Sequence, residues 1–278
     1  MRTVELRFGD LRIEGWSRAG DENWFRVHPP GFALDVGRGA MQLAGSRDIF
    51  LSHGHLDHAL GLPFVLSQRS LHRLANTRVF CPAEIAEPLA ALVAAAERLE
   101  RAAYRYELVP LAPGDRVQAA RGLTVEAFAT DHVVPSLGFH LWRGRRRLAP
   151  ELGGLPREEL IALRERGVET TQVIEDLWLT YCGDTGPAVF EMESRLFGAK
   201  VLMLECTFLG EEQREHGRQF KHLHLDDIAR RAGELRNDAI VLHHLSRRYR
   251  VEDLRVEVER RLPELAPRIH ILVEGRAG

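Results

Sequence analysis

The sequence predicts an α/β domain in which a mixed β-sheet is layered with helices. Short apolar runs separated by Gly and Asp turns dominate the first half, and the second half alternates such runs with helical patterns. The chain has 278 residues, of which 45% are hydrophobic, and its net charge is −2. This composition can fill a core and excludes a mainly disordered chain. Because no repeat or low-complexity linker divides the sequence, we expect one domain over residues 1–278.

The apolar runs and the turn residues between them predict the elements in chain order. Short or alternating apolar runs predict strands at residues 4–8, 11–16, 24–27, 32–36, 48–52, 79–81, 105–109, 123–129, 137–142, 177–182, 201–204, 239–242 and 269–273. Apolar residues at helical spacing predict helices at about 58–71, 82–101, 156–166, 188–197, 225–235 and 251–262. From residue 143 to 175 the composition shifts to arginine, glycine and a charged helix, which we interpret as a short inserted arm.

Cysteine usage and the lengths of the apolar runs indicate the compartment. Cys81, Cys182 and Cys206 are too few and too scattered for a disulfide framework, and are typical of buried thiols in a reducing compartment. No apolar run reaches the ~18 residues of a membrane helix, and residues 1–7 carry charges where a signal peptide would be apolar. We therefore expect a soluble cytoplasmic protein without membrane contact.

Three of the 13 histidines fall within six residues, directly after the strand predicted at 48–52. His53 and His55 lie two apart in extended chain, so their rings point to the same side, and Asp57 and His58 follow at the start of a helix. Imidazole and carboxylate groups are the ligands that zinc and similar metals prefer. Loop histidines and a helix-capping aspartate are the alternative, but the combined spacing favours two metal sites with incomplete ligand shells.

Three later strand ends supply further donors. His132 follows the strand at 123–129, Asp184 lies in a Gly-Asp-Thr-Gly turn, and His243 and His244 follow the strand at 239–242. Each is a weak signal alone, because an aspartate often caps a helix and a single histidine is usually structural. All of them, however, occupy strand tips, where α/β sheets place their sites. Their shared position predicts that they join the cluster that begins at His53.

In this order the motifs resemble the metallo-β-lactamase superfamily and, within it, the short form of the ribonuclease Z family, which trims the 3′ trailer of precursor tRNA. The similarity runs from about residue 33 to residue 249. The motifs are His-x-His-x-Asp-His at 53–58, His-Val-Val-Pro-Ser-Leu-Gly-Phe at 132–139, Gly-Asp-Thr at 183–185, Glu-Cys-Thr-Phe at 205–208, His-Leu-His at 222–224 and His-x-Ser-x-Arg-Tyr at 244–249. Phe139 and His224 depart from the family pattern, in which Tyr and Thr are usual.

The resemblance implies an αββα sandwich that holds two divalent metal ions, with zinc as the first choice and Mn²⁺ or Fe²⁺ also compatible with the ligand types. It implies seven ligands: His53, His55 and His132 for one metal, Asp57, His58 and His244 for the other, and Asp184 as the bridge. Asp35 would orient the metal loop, with a simple turn carboxylate as its alternative. Lactamases commonly have cysteine at the bridging position, so Asp184 argues against β-lactam hydrolysis.

The resemblance also implies the reaction. Two metals roughly 3.5–4 Å apart would lower the pKa of a bridging water, and the resulting hydroxide would attack the phosphodiester. Asp57 would accept a proton from the nucleophile, and His222 would bind a phosphate oxygen or protonate the leaving group. Glu205 would orient His222, for which a surface histidine is the alternative.

The sequence leaves open how the substrate is bound and which substrate it is. The basic cluster of the arm would contact RNA phosphates, although a solvated charged face explains it equally well; it comprises Arg143, Arg145, Arg146 and Arg147. The family works as homodimers in which one subunit's arm serves the other's site, so the resemblance implies a homodimer. Because the arm is short and the net charge near zero, a hydrolase of small phosphodiesters or esters and a catalytically silent metal-binding protein stay as alternatives to an enzyme of precursor tRNA.

Overall fold

The computed structural model describes residues 3–273, and its strands form two seven-stranded sheets that pack face to face. The first sheet contains, in spatial order, β1 (Val4–Phe8), β2 (Leu11–Arg18), β3 (Glu22–His28), β4 (Phe32–Leu34), β5 (Asp48–Phe50), β6 (Thr77–Pro82) and β7 (Tyr106–Leu111). The second contains β8 (Arg116–Ala120), β9 (Leu123–Ala129), β10 (Leu137–Leu148), β11 (Thr171–Tyr181), β12 (Val201–Glu205), β13 (Ala239–His243) and β14 (Ile269–Ile271). In each sheet the first four strands pair antiparallel and the last four parallel, which confirms the mixed αββα architecture.

Helices cover the outer face of each sheet. They are α1 (Leu56–Ala59), α2 (Leu62–Leu71), α3 (Ala86–Glu100), α4 (Arg157–Glu165), α5 (Val189–Met192), α6 (Arg214–Phe220), α7 (Leu225–Arg230) and α8 (Val251–Arg261). Short 3₁₀ turns occupy Met41–Gly45, Ala83–Ile85, Pro150–Leu152, Ser194–Gly198, Glu211–Gln213 and Ala266–Arg268. Between residues 3 and 273 there is no helix with both the length and the apolar character needed to cross a membrane.

Aromatic side chains hold the two sheets together. Phe50 of β5 is fully buried, stacks on Phe80 at 4.6 Å between ring centroids and meets Phe32 edge-on at 5.3 Å. Its third neighbour, Phe139 of β10, belongs to the other sheet and lies 5.3 Å away. Phe139 therefore packs between the sheets as a buried apolar ring, which accounts for Phe where the family pattern has Tyr. The three cysteines are buried and unpaired, as expected.

The structure differs from the sequence prediction where local patterns are weak. The helix predicted at 58–71 is two helices, because a new helix begins beside Pro63 and because Gly61 lies against the 38–39 backbone. A Cβ on Gly61 would lie 2.0 Å from the Gly39 nitrogen. Strand β8 and helix α6 were not predicted, since β8 is a five-residue edge strand that contains Arg116 and Gln118 and α6 contains Gly217. Helix α7 is shorter than predicted.

The predicted arm is the outer part of a long hairpin. Strands β10 and β11 continue past their predicted limits, and pair antiparallel from Arg143 with Asp176 to Leu148 with Thr171. Helix α4 lies in the connection between them. The arm thus extends the second sheet.

Replacing Phe50 with Ala is expected to lower the free energy of unfolding by about 3–5 kcal/mol, because it opens a cavity where the sheets meet. Urea denaturation measures this change. Leu99→Ala on α3 is the control, since Leu99 is 87% exposed and its removal should cost at most about 0.5 kcal/mol. Equal midpoints for the two variants would contradict the role of Phe50 in joining the sheets.

Candidate metal centre

The seven donors named from the sequence meet at one end of the two sheets, on loops that follow β5, β9, β11 and β13. One group of side chains has donor atoms within 4.8 Å of one another and comprises His53, His55, His132 and Asp184. A second group with the same spacing comprises Asp57, His58 and His244. Residues separated by nearly 200 positions in sequence are therefore brought to one place by the strand order.

Asp184 lies between the two groups. Its Oδ2 atom is 3.8 Å from Nε2 of His53 on one side. On the other side the same oxygen is 3.3 Å from Nε2 of His58 and 3.1 Å from Nε2 of His244. Nε2 of His132 and Nδ1 of His55 face each other at 3.3 Å. One carboxylate thus borders both donor groups, as a bridging ligand requires.

The buried carboxylate of Asp35 fixes two of these imidazoles from behind. Its Oδ2 accepts a hydrogen bond from Nδ1 of His58 at 2.7 Å and from the Ser52 hydroxyl at 2.7 Å. Because that hydroxyl donates to Asp35, it is free to accept from Nδ1 of His53, which lies 2.9 Å away. Both rings are therefore held with Nε2 facing the cluster, where it would bind a metal ion. Asp35 holds a left-handed backbone conformation, with φ of 53°, that places it there.

Glu205, at the end of β12, plays the same part on the other side. It is fully buried and accepts from Nδ1 of His222 at 2.8 Å and from the Thr207 hydroxyl at 2.5 Å. Thr207 Oγ1 in turn lies 2.9 Å from Nδ1 of His244. The predicted contact between Glu205 and His222 is thus present, and the same carboxylate also orients His244 through Thr207.

Charge and burial shift the pKa values of the side chains in the cluster. Burial lowers the pKa of His132 to about 4, so its imidazole is neutral at pH 7. Burial raises the pKa of Asp57, but the neighbouring rings of His244 and His58 outweigh it and lower this pKa to about 2. Burial also lowers the pKa of His222, yet the Glu205 carboxylate raises it to about 9. His222 therefore carries a proton at pH 7.

The donor set fits a divalent cation. Within the described part of the chain, three buried polar atoms of the cluster have no hydrogen-bond partner: Nε2 of His53, Nε2 of His244 and Oδ1 of Asp184. Leaving such atoms unpaired costs about 1–3 kcal/mol each, and a bound cation removes that cost. Imidazole and carboxylate donors suit zinc and related metals. The cluster is therefore a site for divalent metal.

A cavity of about 300 Å³ opens onto the cluster. His55, Asp57, Asp184, His222 and His244 form its floor. Residues of the later motifs and four residues that no motif contains complete its lining, and they are Thr207, Phe208, Ser246 and Arg248, with Ala19, Gly20, His216 and Phe220. A substrate in this cavity would contact these groups.

Some supporting residues carry no recognisable signal in the sequence. The backbone NH of Gly20 donates to Oδ2 of Asp57 at 2.9 Å, and Asn23 Nδ2 donates to the same oxygen at 3.1 Å. Both belong to the β2–β3 hairpin, more than 30 residues before Asp57. Ser52 and Thr207, in contrast, lie beside or within recognised motifs and could have been found there.

Two further histidines have structural roles. His243 is buried in the core, where its ring lies 5.1 Å from that of Phe25 and 5.5 Å from that of Tyr181. His224 caps helix α7, because its Nδ1 accepts from the Asp226 NH at 3.1 Å. It fills the capping role that a threonine hydroxyl can also fill, so this departure from the family pattern leaves the metal centre unchanged.

The arginines of the arm lie away from the cluster. They are 6 to 10 residues beyond Leu137 along β10, which corresponds to about 20–33 Å. Arg143 pairs with Asp10 at 2.6 Å, Arg145 pairs with Asp176, and Arg146 lies 3.5 Å from Glu169. Arg147 is exposed. Three of the four arm arginines are thus already paired with carboxylates of the same chain.

Comparisons with known proteins agree with this geometry. Residues 37–245 match the family model described as a β-lactamase superfamily domain. Two Arabidopsis thaliana proteins named tRNase Z, one of them chloroplastic, are 31% and 32% identical over 98% and 95% of this chain and 77% and 95% of their own lengths. The human short-form tRNase Z structure is 21% identical, with a TM-score of 0.56 over 84% of this chain and 92% of its own. A Bacillus subtilis metallo-β-lactamase-fold structure is 15% identical, with a TM-score of 0.60 over 94% of this chain and 95% of its own.

Asp35→Asn is expected to weaken metal binding by about 10- to 100-fold, because the amide no longer holds His58 and the Ser52 hydroxyl as an ionised carboxylate does. Competition with a chromogenic chelator measures the affinity. The control is Asp10→Asn, which removes an exposed carboxylate that pairs with Arg143, away from the donor cluster. Unchanged metal affinity in Asp35→Asn would contradict the orienting role.

Proposed function

The chain belongs to the ribonuclease Z family of the β-lactamase superfamily, and from this membership and its histidine–aspartate cluster we propose that it removes the 3′ trailer of precursor tRNA. The observation that carries the proposal is the complete donor set around Asp184, with His222 held beside it by the buried Glu205. A protein that only binds metal has no need of a buried carboxylate that orients one more histidine toward the donor set. This feature favours an enzyme over a silent homologue.

We assign one metal ion to His53, His55 and His132, and a second to Asp57, His58 and His244, with Asp184 shared between them. Zinc is the proposed ion for both positions, since neutral imidazoles and carboxylates are its usual ligands, and Mn²⁺ or Fe²⁺ also suit them. When bound, the metals supply an activated water at neutral pH and neutralise charge on the phosphodiester.

The chain's own residues move the protons. Asp57 is ionised and lines the cavity, so its carboxylate can accept a proton from the attacking water. His222 lines the same cavity and holds a proton on the ring whose Nδ1 is bound to Glu205. We propose that its other ring nitrogen gives a proton to the 3′ oxygen that leaves the phosphorus. Glu205 acts through His222, as a positioning residue.

One observation favours a second candidate, the hydrolysis of a small phosphodiester or ester. The net charge is only −2, and three arm arginines are paired with carboxylates of the same chain. Free guanidinium groups are what a protein uses to hold an RNA backbone. Since the family of the chain and the metal centre are the same in both readings, substrate turnover separates them.

We propose that the protein is a homodimer in which the arm of one subunit serves the metal centre of the other. The arginines lie about 20–33 Å along β10 from the chain's own cluster, so they would serve the site of a second subunit more readily than their own. An exposed apolar stripe on α1, α2 and the turn between them, beside the His53–His58 segment, offers a face for that second copy. Its residues are Leu56, Leu60 and Phe64, which are 63%, 44% and 43% exposed.

The buried thiols favour a reducing compartment, and we propose the cytoplasm.

Incubation with a precursor tRNA that carries a 3′ trailer tests the function. The wild type is expected to cut at the trailer junction, and His53→Ala is expected to lose both the metal and the cleavage. His222→Ala should keep its metal by elemental analysis, while kcat falls about 100- to 10,000-fold because the proton donor is absent. Metal loss in His222→Ala would make His222 a ligand instead. Turnover of an aryl phosphodiester by a wild type that leaves the precursor tRNA intact would favour the second candidate.

Leu60→Asp is expected to convert the protein from dimer to monomer, because it places a charge in the apolar stripe. Light scattering coupled to size exclusion measures the mass. Leu99→Asp, at a more exposed apolar position on α3, is the matched control and should stay dimeric. A monomeric wild type at micromolar concentration would refute the homodimer.

A further inference from the structure

A series of aromatic rings leads from the metal centre to the mouth of the cavity. It begins at His222, whose ring centroid lies 6.3 Å from that of Phe208. Phe208 meets His216 at 5.5 Å, and His216 meets Phe220 at 4.6 Å. All four side chains line the cavity that contains Asp57, Asp184 and His244. The rings therefore form one side of the path to the metal-binding residues.

Helix α6 is held tightly against the centre. His216 and Phe220 are four residues apart, so they share one face of the helix. Gly217 allows close approach, because a Cβ at this position would lie 3.2 Å from both the His222 carbonyl oxygen and Phe208 Cδ2. A glycine inside a helix lowers the stability of the helix by about 1 kcal/mol relative to alanine. The close packing of Gly217 against His222 and Phe208 offsets this loss.

The C-terminal end of α6 is tied to the same loops. Lys221 ends the helix in a left-handed conformation, with φ of 54°, and its ammonium pairs with Asp131 at 2.9 Å. The His222 NH bonds to the Gly217 carbonyl at 2.8 Å. The turn that delivers His222 to the cluster is thus the turn that fixes the two rings of α6 beside it.

The outer rings are open to solvent. Phe220 is 42% exposed and His216 is also exposed, whereas Phe208 beneath them is buried. An exposed phenylalanine at a cavity mouth contributes little to the core, but its face can receive another ring. Every nucleobase presents a flat π-face, and stacking on aromatic side chains tolerates any base.

We propose that Phe220 and His216 form a stacking surface for the nucleobase on the 3′-oxygen side of the scissile bond. This inference rests on the proposed function. In that function His222 lies beside the leaving 3′ oxygen, and His222 is the inner end of the ring series. The nucleotide that carries this oxygen therefore lies next to the surface, and its base lies toward Phe220.

The test compares two precursor tRNAs, one complete and one with an abasic nucleotide directly 5′ of the scissile bond. With the complete substrate, Phe220→Ala is expected to lower kcat/KM about tenfold, mainly through KM, because one stacking contact is lost. Phe220→Leu keeps the apolar bulk without a π-face and should lose a similar factor, whereas Phe220→Trp should stay within about twofold of the wild type. Val256→Ala, at an exposed position on α8, is the control.

With the abasic substrate, the wild type is expected to lose about the same tenfold, and Phe220→Ala should then be no worse than the wild type. Equal cleavage of the complete substrate by Phe220→Ala and the wild type overturns the stacking surface. So does a loss of equal factor on both substrates, which marks a structural effect. Failure of the proposed function is a separate result, because it appears in the wild type alone as an uncut precursor tRNA, and the stacking proposal then falls with it.

Discussion

Two buried carboxylates, Asp35 and Glu205, determine how the histidines of this protein are oriented. Each binds one imidazole directly and a second through a hydroxyl group, Ser52 in one case and Thr207 in the other. Asp35 also accepts a hydrogen bond from the Tyr181 hydroxyl at 2.7 Å, and Tyr181 belongs to the opposite sheet. A buried carboxylate is stable only when its oxygens are paired, so these bonds fix the loops of both sheets at the same point.

The sandwich explains why a single end of the molecule carries the chemistry. Each sheet begins as an antiparallel meander and finishes with parallel strands, and the loops that follow β5, β11, β12 and β13 leave toward one side. The backbone of His53 pairs with that of Ser136 across the two sheets. The His244 NH bonds to the Ser17 hydroxyl at 2.8 Å. The cluster is therefore clamped by main-chain contacts as well as by its side chains.

The proposed catalytic site and the arginines of the arm occupy different parts of the molecule. The proposed metal ligands His55, Asp57, Asp184 and His244 line one cavity with His222 and the rings of α6, whereas the arm arginines lie at the far end of β10. This separation fits an enzyme whose long substrate touches more than one surface. It also fits a dimer, because one subunit can present its arm to the cavity of the other.

The sequence by itself determined the α/β class and the donors, because short-range patterns carry that information. His53, His55, Asp57 and His58 lie within six residues on a strand–loop–helix, so their spacing alone sets their geometry. The resemblance of the later motifs supplied the sandwich and the pairing of Asp184 with both groups. Strand β8 and helix α6 escaped prediction, because β8 is a five-residue edge strand paired with β9 and the glycine in α6 weakens its helical pattern.

Only the tertiary structure decided which neighbours complete the site. Asn23 and Gly20 reach Asp57 from a separate hairpin, and the same kind of long-range packing brings Phe220 to the cavity mouth. It also pairs Arg143 with Asp10, so that the run of arginines in the arm is partly neutralised within the chain. Hydrogen bonds and ion pairs between distant segments depend on the final arrangement of the sheets, which local spacing does not encode.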